Sequence, residues 1–118
     1  MACLVVLAGL IPLGGCATEG VNVPGRLLGV WGTDKTGYAG RTMEFLEDAV
    51  IFYSSEDTYT IHPIIAFRTM REERNERWRY DLVYTTNVGL SIDVTMYHDD
   101  SGTLVFDHQR AVRWRRRG

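Results

Sequence analysis

The clearest indication of the fold comes from the stretches Arg77-Trp78-Arg79-Tyr80-Asp81-Leu82-Val83-Tyr84 and Leu90-Ser91-Ile92-Asp93-Val94-Thr95-Met96-Tyr97. In both, large apolar side chains alternate with polar ones, and this period of two is typical of half-buried β-strands. The side chains predicted to face inward are Trp78, Tyr80, Leu82 and Tyr84 on the first strand and Leu90, Ile92, Val94 and Met96 on the second. The sequence Asn87-Val88-Gly89 predicts the turn that joins them.

Shorter alternating segments flank this pair on both sides. The predicted strands are Leu28–Trp31, Thr42–Phe45, Val50–Tyr53, Tyr59–His62, Leu104–Phe106 and a last strand around Val112 and Trp114. Pro63 favours an edge or a bulge, with Ile64–Arg68 continuing after a bend. Residues 69–76 are polar and charged, and they predict an exposed loop or a single helical turn.

About eight short strands with short turns favour an all-β fold, a small antiparallel up-and-down meander. Closing the meander, or nearly closing it, into a barrel removes the exposed strand edges. The interior of an eight-stranded barrel is either filled by side chains or holds one small ligand.

The N-terminus carries a separate signal. An uncharged apolar run from Ala2 to Pro12 is followed by Leu13-Gly14-Gly15-Cys16. The run is too short to span a bilayer and fits a secretory signal. Together the two features resemble the signal peptide and lipobox of bacterial lipoproteins. The resemblance implies a signal peptide over 1–15, cleavage between Gly15 and Cys16, and lipidation of Cys16.

This resemblance also implies a location. Residues 16–26 are small, polar and turn-rich, which predicts a flexible tether before a β-barrel domain over 27–118. Ala17 replaces the aspartate that usually retains such proteins in the inner membrane. In a Gram-negative cell the expected place is the outer membrane, with the domain facing the periplasm and the N-terminal lipid as its membrane contact.

Cysteine count and charge exclude several classes of function. The two cysteines are Cys3 and Cys16, so the predicted domain has no thiol for a disulfide, a zinc site or a nucleophile. Thirteen basic and fifteen acidic residues give a net charge of −2. That balance, and export, argue against a nucleic-acid partner.

Gly29-Val30-Trp31 opens the first strand of the domain. It resembles the Gly-x-Trp signature of lipocalins. The resemblance implies that Trp31 packs across the closed end of a barrel and that Arg113 or Arg115 covers it. The chain is shorter than a typical lipocalin, so a small lipocalin-like barrel is the expectation.

No motif for catalysis, a metal or a cofactor is found in the sequence. His62, His98 and His108 match no ligand spacing, and Asp99-Asp100-Ser101-Gly102 lacks the later ligands of an EF-hand, which favours a plain turn. The acidic pairs Glu47-Asp48 and Glu56-Asp57 fall in predicted turns. We therefore expect a protein that is not an enzyme and that holds no metal or cofactor.

Arg113-Trp114-Arg115-Arg116-Arg117 is the densest run of charge. Alternation favours a strand whose arginines face water, while contact with anionic groups of the envelope is the alternative. Trp31, Trp78 and Trp114 are the residues expected either in the core or at a ligand.

Three functions remain open: an envelope lipoprotein with a non-enzymatic binding or structural role, a carrier of a small apolar ligand, and a protein-interaction module such as an inhibitor of a cell-wall-degrading enzyme. A carrier needs an apolar cavity of about 300 Å³ or more. It is excluded if the large aromatic side chains fill the barrel, namely Trp31, Phe45, Phe52, Trp78, Tyr80, Phe106 and Trp114. An interaction module favours an exposed aromatic patch, for which the candidates are Tyr38, Tyr53, Tyr59 and Tyr97.

Overall fold

The computed structural model describes residues 19–20, 22–38 and 40–117. In this part of the chain nine strands and two 3₁₀ turns are joined by short connections. The strands are β1 Glu19–Gly20, β2 Gly29–Gly32, β3 Thr42–Phe45, β4 Ala49–Tyr53, β5 Tyr59–Glu72, β6 Arg77–Thr85, β7 Ser91–Asp99, β8 Leu104–Phe106 and β9 Gln109–Arg116, and the turns are Gly25–Leu27 and Glu73–Asn75.

Strands β2 to β9 form a closed, antiparallel, up-and-down barrel, as the alternating pattern predicts. Each strand pairs with the next one in the chain, and β2 closes the barrel on β9 through Trp31 opposite Arg116 and Gly32 opposite Arg115. The two-residue strand β1 adds to β5 outside this circuit, beside Phe67 and Arg68.

The long strand β5 pairs with two neighbouring strands. Residues 59–63 pair with β4, and residues 64–72 pair with β6 after a bulge between Ile64 and Ala66. Pro63 has no N–H to donate and lies where the ladder to β4 ends, and the bulge that follows it agrees with the predicted edge or bulge.

The prediction of a loop over 69–76 is wrong for its first four residues. Thr69–Glu72 pair with Arg77–Tyr80 as a ribbon, and only Glu73–Asn75 form a turn. The charges are tolerated because they pair within the ribbon and its surroundings: Arg77 Nε lies 2.6 Å from Glu72 Oε1 and Arg71 Nη1 lies 3.1 Å from Asp100 Oδ1. Cross-strand pairing thus overrides a loop-like composition.

Two side chains differ in exposure from what the alternation predicts. Leu90 lies in the β6–β7 turn and is exposed, not inward. Tyr97, predicted to face outward, is buried, because the guanidinium groups of Arg77 and Arg110 lie over its ring at 3.9 and 5.2 Å. Arginine on an aromatic face excludes water from an outward position.

The packing begins before residue 27. Val23 belongs to the buried core, and its amide donates to the carbonyl of Glu47 at 2.9 Å. Residues 22–26, which the sequence assigns to the tether, therefore lie against the barrel. The end of the barrel at the Gly25–Leu27 turn is called the closed end below; the opposite end, where the β2–β3, β4–β5, β6–β7 and β8–β9 connections meet, is called the open end.

Candidate functional site

Trp31 lies at the closed end, fully buried. Its indole Nε1 donates to the carbonyl of Leu27 at 3.0 Å, which ties the first strand to the preceding 3₁₀ turn. Leu27 is also fully buried. Trp31 is therefore part of the core that closes this end of the barrel.

The arginine that covers Trp31 is Arg116. Its guanidinium lies 4.9 Å from the Trp31 ring centroid and donates to the carbonyls of Leu28 and Arg26. The expectation of Arg113 or Arg115 is wrong, because alternation along β9 directs both toward the outer cleft described below. Closure pairs Arg116 directly with Trp31, which brings the guanidinium over the ring.

Gly29 has a physical reason to precede this tryptophan. Its φ is +118°, and a Cβ there would lie 2.8 Å from Arg116 Nη1. A residue with a side chain is strained in this conformation and displaces the guanidinium. The spacing of glycine and tryptophan thus reflects the packing of Arg116.

Trp78 is half-buried on β6, where the guanidinium groups of Arg26 and Arg71 lie 3.9 and 5.2 Å from its ring centroid. Arg26 also donates to the hydroxyl of Tyr80 at 3.4 Å. Protein groups thus already cover this ring, so Trp78 is a weak candidate for ligand contact.

At the open end the barrel holds a cavity of about 390 Å³. Its aromatic lining comes from five segments: Tyr38 from the β2–β3 connection, Phe52 and Tyr53 from β4, Tyr59 from β5, Phe106 from β8 and Trp114 from β9. Polar groups at its edge include Thr60, His108 and Gln109. We refer to this space as the open-end cavity.

Trp114 is the most informative residue of the open-end cavity. It is 6% exposed and packs edge-on against Tyr38 and Phe106, with ring centroids 6.3 Å apart in both pairs. Its indole Nε1 has no hydrogen-bond partner among the described residues. A buried N–H without a partner costs about 1–3 kcal/mol, so such groups are rare unless something else satisfies them.

Other groups around the open-end cavity are already held. Gln109 Nε2 donates to the Tyr38 hydroxyl at 3.0 Å and fixes that ring at the wall. Below Phe52, His62 lies between Thr60 Oγ1, at 2.9 Å, and the carbonyl of Thr85, at 3.2 Å. The indole N–H of Trp114 is the buried side-chain donor of this wall that lacks a partner among the described residues.

Most of the seven large aromatic residues that could fill the barrel are in its core: one buried cluster contains five of them, and Phe52 and Trp78 pack against it. Phe52, Phe106 and Trp114 also line the open-end cavity, so they leave space inside the described part of the barrel, and the sequence does not reveal this. Tyr38 and Gln109 carry no motif and meet only because the β2–β3 connection folds over β9.

The candidate metal ligands do not come together. His98 lies beside Tyr80, its Nδ1 3.4 Å from the tyrosine hydroxyl, whereas His108 stacks on Phe106 at the other end of the barrel. No group of three His, Cys, Asp or Glu side chains suited to a metal occurs among the described residues. Burial lowers the pKa of His98 and raises that of Tyr80.

The acidic side chains considered for a metal or for acid–base chemistry lie in turns, where they are hydrogen-bonded or exposed. The Asp99 carboxylate accepts hydrogen bonds from the Ser101 amide and hydroxyl and from the Thr103 amide, which closes its own turn. Glu47, Asp48, Glu56 and Asp57 are exposed in turns. Lowered carboxyl pKa values at Glu72 and Asp107 come first from hydrogen bonds with Arg77 and Arg110.

Three of the four tyrosines considered for a partner surface, Tyr38, Tyr53 and Tyr59, line the open-end cavity, where Tyr53 and Tyr59 stack with centroids 5.4 Å apart. Tyr97 is buried on β7.

Cys16, Gly15 and the rest of the predicted lipobox lie outside the described residues. Among the residues that are described, no helix has the length and apolarity to cross a bilayer. No protein-family model, curated protein or solved structure matches the chain.

Proposed function

We propose that this chain is a lipid-anchored protein of the bacterial envelope whose barrel binds a small, mainly apolar ligand in the open-end cavity and performs no catalysis. The observation that carries the proposal is the buried indole N–H of Trp114 in the wall of an aromatic cavity of about 390 Å³. Ligand sites are concave and mostly apolar, with a few placed polar groups. This site has that composition.

The cavity also suggests the class of ligand. Aromatic walls favour a flat or ring-containing apolar molecule, because edge and face contacts add to the area buried. The free N–H of Trp114 favours a ligand with one hydrogen-bond acceptor, such as a carbonyl or ether oxygen. The volume of about 390 Å³ admits a molecule of modest size.

The binding is tested with the neutral dye N-phenyl-1-naphthylamine, whose fluorescence rises in apolar surroundings. We expect saturable binding of the dye to the full chain and its displacement by indole-3-carboxaldehyde, whose carbonyl accepts from the Trp114 N–H. The affinity for the aldehyde should fall about tenfold in Trp114→Phe, since that variant keeps the ring and removes the donor. Trp78→Phe is the matched control, because Trp78 lies outside the open-end cavity.

Two outcomes contradict the proposal. One is the absence of saturable dye binding by a chain shown to be folded by its circular dichroism. The other is equal loss of binding in the Trp114 and Trp78 variants, which indicates nonspecific contact with apolar surface.

The anchor is a separate part of the proposal and rests on the Leu13–Cys16 lipobox. Because β1 starts at Glu19, only two residues separate Cys16 from the first strand. An extended chain reaches at most about 3.6 Å per residue, so the barrel is held within about 10 Å of the lipid. This implies a domain close to the membrane surface.

The anchor is tested by replacing the lipidated residue. Cys16→Ser should abolish labelling by a radioactive or clickable fatty acid and should release the protein or leave an unprocessed precursor. Ala17→Ser, which retains the cysteine, is the control. Unchanged labelling and membrane fractionation of Cys16→Ser would refute lipidation while leaving the ligand site untouched.

A further inference from the structure

A second concave site lies on the outside of the barrel, away from the open-end cavity. One wall is the outward face of β9, with Arg113, Arg115 and the following Arg117, and the other is the chain Gly32–Lys35 at the end of β2. The cleft has a volume of about 500 Å³. It exists because β2 pairs with β9 over only two residue pairs, so that beyond Gly32 the two segments separate. We call it the basic cleft.

The basic cleft has a large excess of positive charge. Lys35 and four arginines, Arg113, Arg115, Arg116 and Arg117, line it beside a single acid, Asp34, which is fully exposed and 3.8 Å from Arg117 Nη2. The whole chain has 13 basic and 15 acidic residues. Five basic residues against one acidic residue give +4 in the cleft, and the eight basic and fourteen acidic residues elsewhere give −6.

This charge is not neutralised within the protein. Within the described part of the chain, no carboxylate lies at ion-pair distance from Arg113 or Arg115. By contrast, Arg110 on the same strand pairs with Asp107, and Arg79 on β6 has Asp81 3.1 Å away. Like charges in one cleft repel each other, and an anion relieves that repulsion.

The cleft is also partly pre-formed. The Arg117 amide donates to the Val30 carbonyl at 2.7 Å, and its guanidinium lies against the backbone of Gly32. A Cβ at Gly32 would overlap that guanidinium. Glycine at this position therefore lets one arginine lie across β2, so less side-chain freedom is lost when it binds a ligand.

We infer that the basic cleft binds a phosphate-bearing anion. Guanidinium groups match phosphate oxygens in pairs, and a lysine adds a point charge. Several cations spread over the cleft favour a ligand with more than one negative charge, such as a diphosphate. The ligand is either the phosphorylated headgroup of a lipid or a soluble phosphorylated compound, both of which present this chemistry.

The test uses calorimetric titration of the full chain carrying Cys16→Ser, so that no attached lipid competes. The probe is inorganic pyrophosphate at physiological salt. We expect saturable binding of one pyrophosphate, weakened more than about tenfold in the double variant Arg113→Gln/Arg115→Gln. Arg68→Gln/Arg74→Gln is the matched control, because both residues are exposed, lie outside the cleft and change the net charge equally.

A further variant separates the pre-formed geometry from charge. Gly32→Ala leaves every charge in place but displaces the Arg117 guanidinium, so we expect weaker pyrophosphate binding with unchanged net charge. Circular dichroism and thermal unfolding establish that each variant is folded. If Gly32→Ala does not fold, the comparison of Arg113→Gln/Arg115→Gln with Arg68→Gln/Arg74→Gln tests the inference by itself, since these four side chains are exposed.

Vesicles distinguish the two sources of phosphate. If vesicles containing phosphatidylglycerol displace pyrophosphate and vesicles of phosphatidylcholine do not, the ligand is a lipid headgroup. If neither displaces it, the ligand is a soluble phosphorylated compound. The inference is overturned if pyrophosphate does not saturate the chain, or if the cleft variant and the control variant weaken binding equally.

Discussion

Replacing Arg116 by methionine tests how the barrel is closed. Methionine keeps much of the aliphatic stem but removes the guanidinium that covers Trp31 and donates to the carbonyls of Leu28 and Arg26. A hydrogen bond from a charged donor contributes about 1.5–3 kcal/mol when shielded, and Arg116 is exposed, so we discount each to under about 1 kcal/mol. A cation–π contact at an exposed site adds about 0.5–1 kcal/mol. We therefore expect the free energy of unfolding to fall by about 2 kcal/mol.

Urea denaturation at 25 °C, followed by tryptophan fluorescence, measures this change. The midpoint should move to lower urea with an unchanged slope, because the surface exposed on unfolding is nearly the same. For a domain of this size the melting temperature should fall by about 10 °C. Arg115→Met is the control, since Arg115 lines the basic cleft, whereas Arg116 is the residue that lies over the Trp31 ring. Substitutions of such exposed side chains change the free energy of unfolding by less than about 0.5 kcal/mol. Equal effects of the two substitutions would refute the reasoning that Arg116 holds the closed end.

Three further outcomes follow from the packing. Gly29→Ala should lower the free energy of unfolding by about 1–3 kcal/mol, because φ is +118° there, whereas Gly25→Ala, with open space around it, should cost less than about 1 kcal/mol in the same urea assay. Burial lowers the pKa of His98, so the unfolded chain binds its proton more readily; stability is complete above the unfolded pKa of about 6.5 and falls as the pH drops below it. Between pH 7.5 and 5 the melting temperature should fall less for His98→Gln than for the unsubstituted protein. An equal fall in the two proteins would contradict the assignment of this pH dependence to His98. Val23→Ala should cost about 2 kcal/mol while Asn22→Ala is nearly neutral, and equal values would mean that the segment before residue 27 does not support the barrel.

The strands of the barrel are largely predictable from the chain because each one alternates on its own. Met43 and Phe45 on β3, or Val94 and Met96 on β7, are recognised as inward without knowledge of their neighbours, and all four are buried. The order of the strands follows as well, since short turns leave each strand beside the next one.

Prediction from the sequence fails where the structure of a residue depends on a neighbouring segment. Thr69–Glu72 are strand residues because β6 offers partners for their backbone and charges, which local composition does not show. Tyr97 is buried because arginines from β6 and β9 lie over its ring. The choice of Arg116 over its neighbours depends on the register of β2 against β9, which is set only when the barrel closes.

The all-β class, the up-and-down order and the apolar faces can be predicted from the sequence, because these depend on periodicity within single strands. The proposed lipobox is likewise a local signal that needs no fold. The concave sites, by contrast, can be recognised only in the folded chain. The open-end cavity brings together Tyr38 and Gln109, which are 71 positions apart in the chain, and the basic cleft sets the end of β2 against β9. Cavities form between segments, so their walls and their unsatisfied groups exist only once the chain has closed on itself.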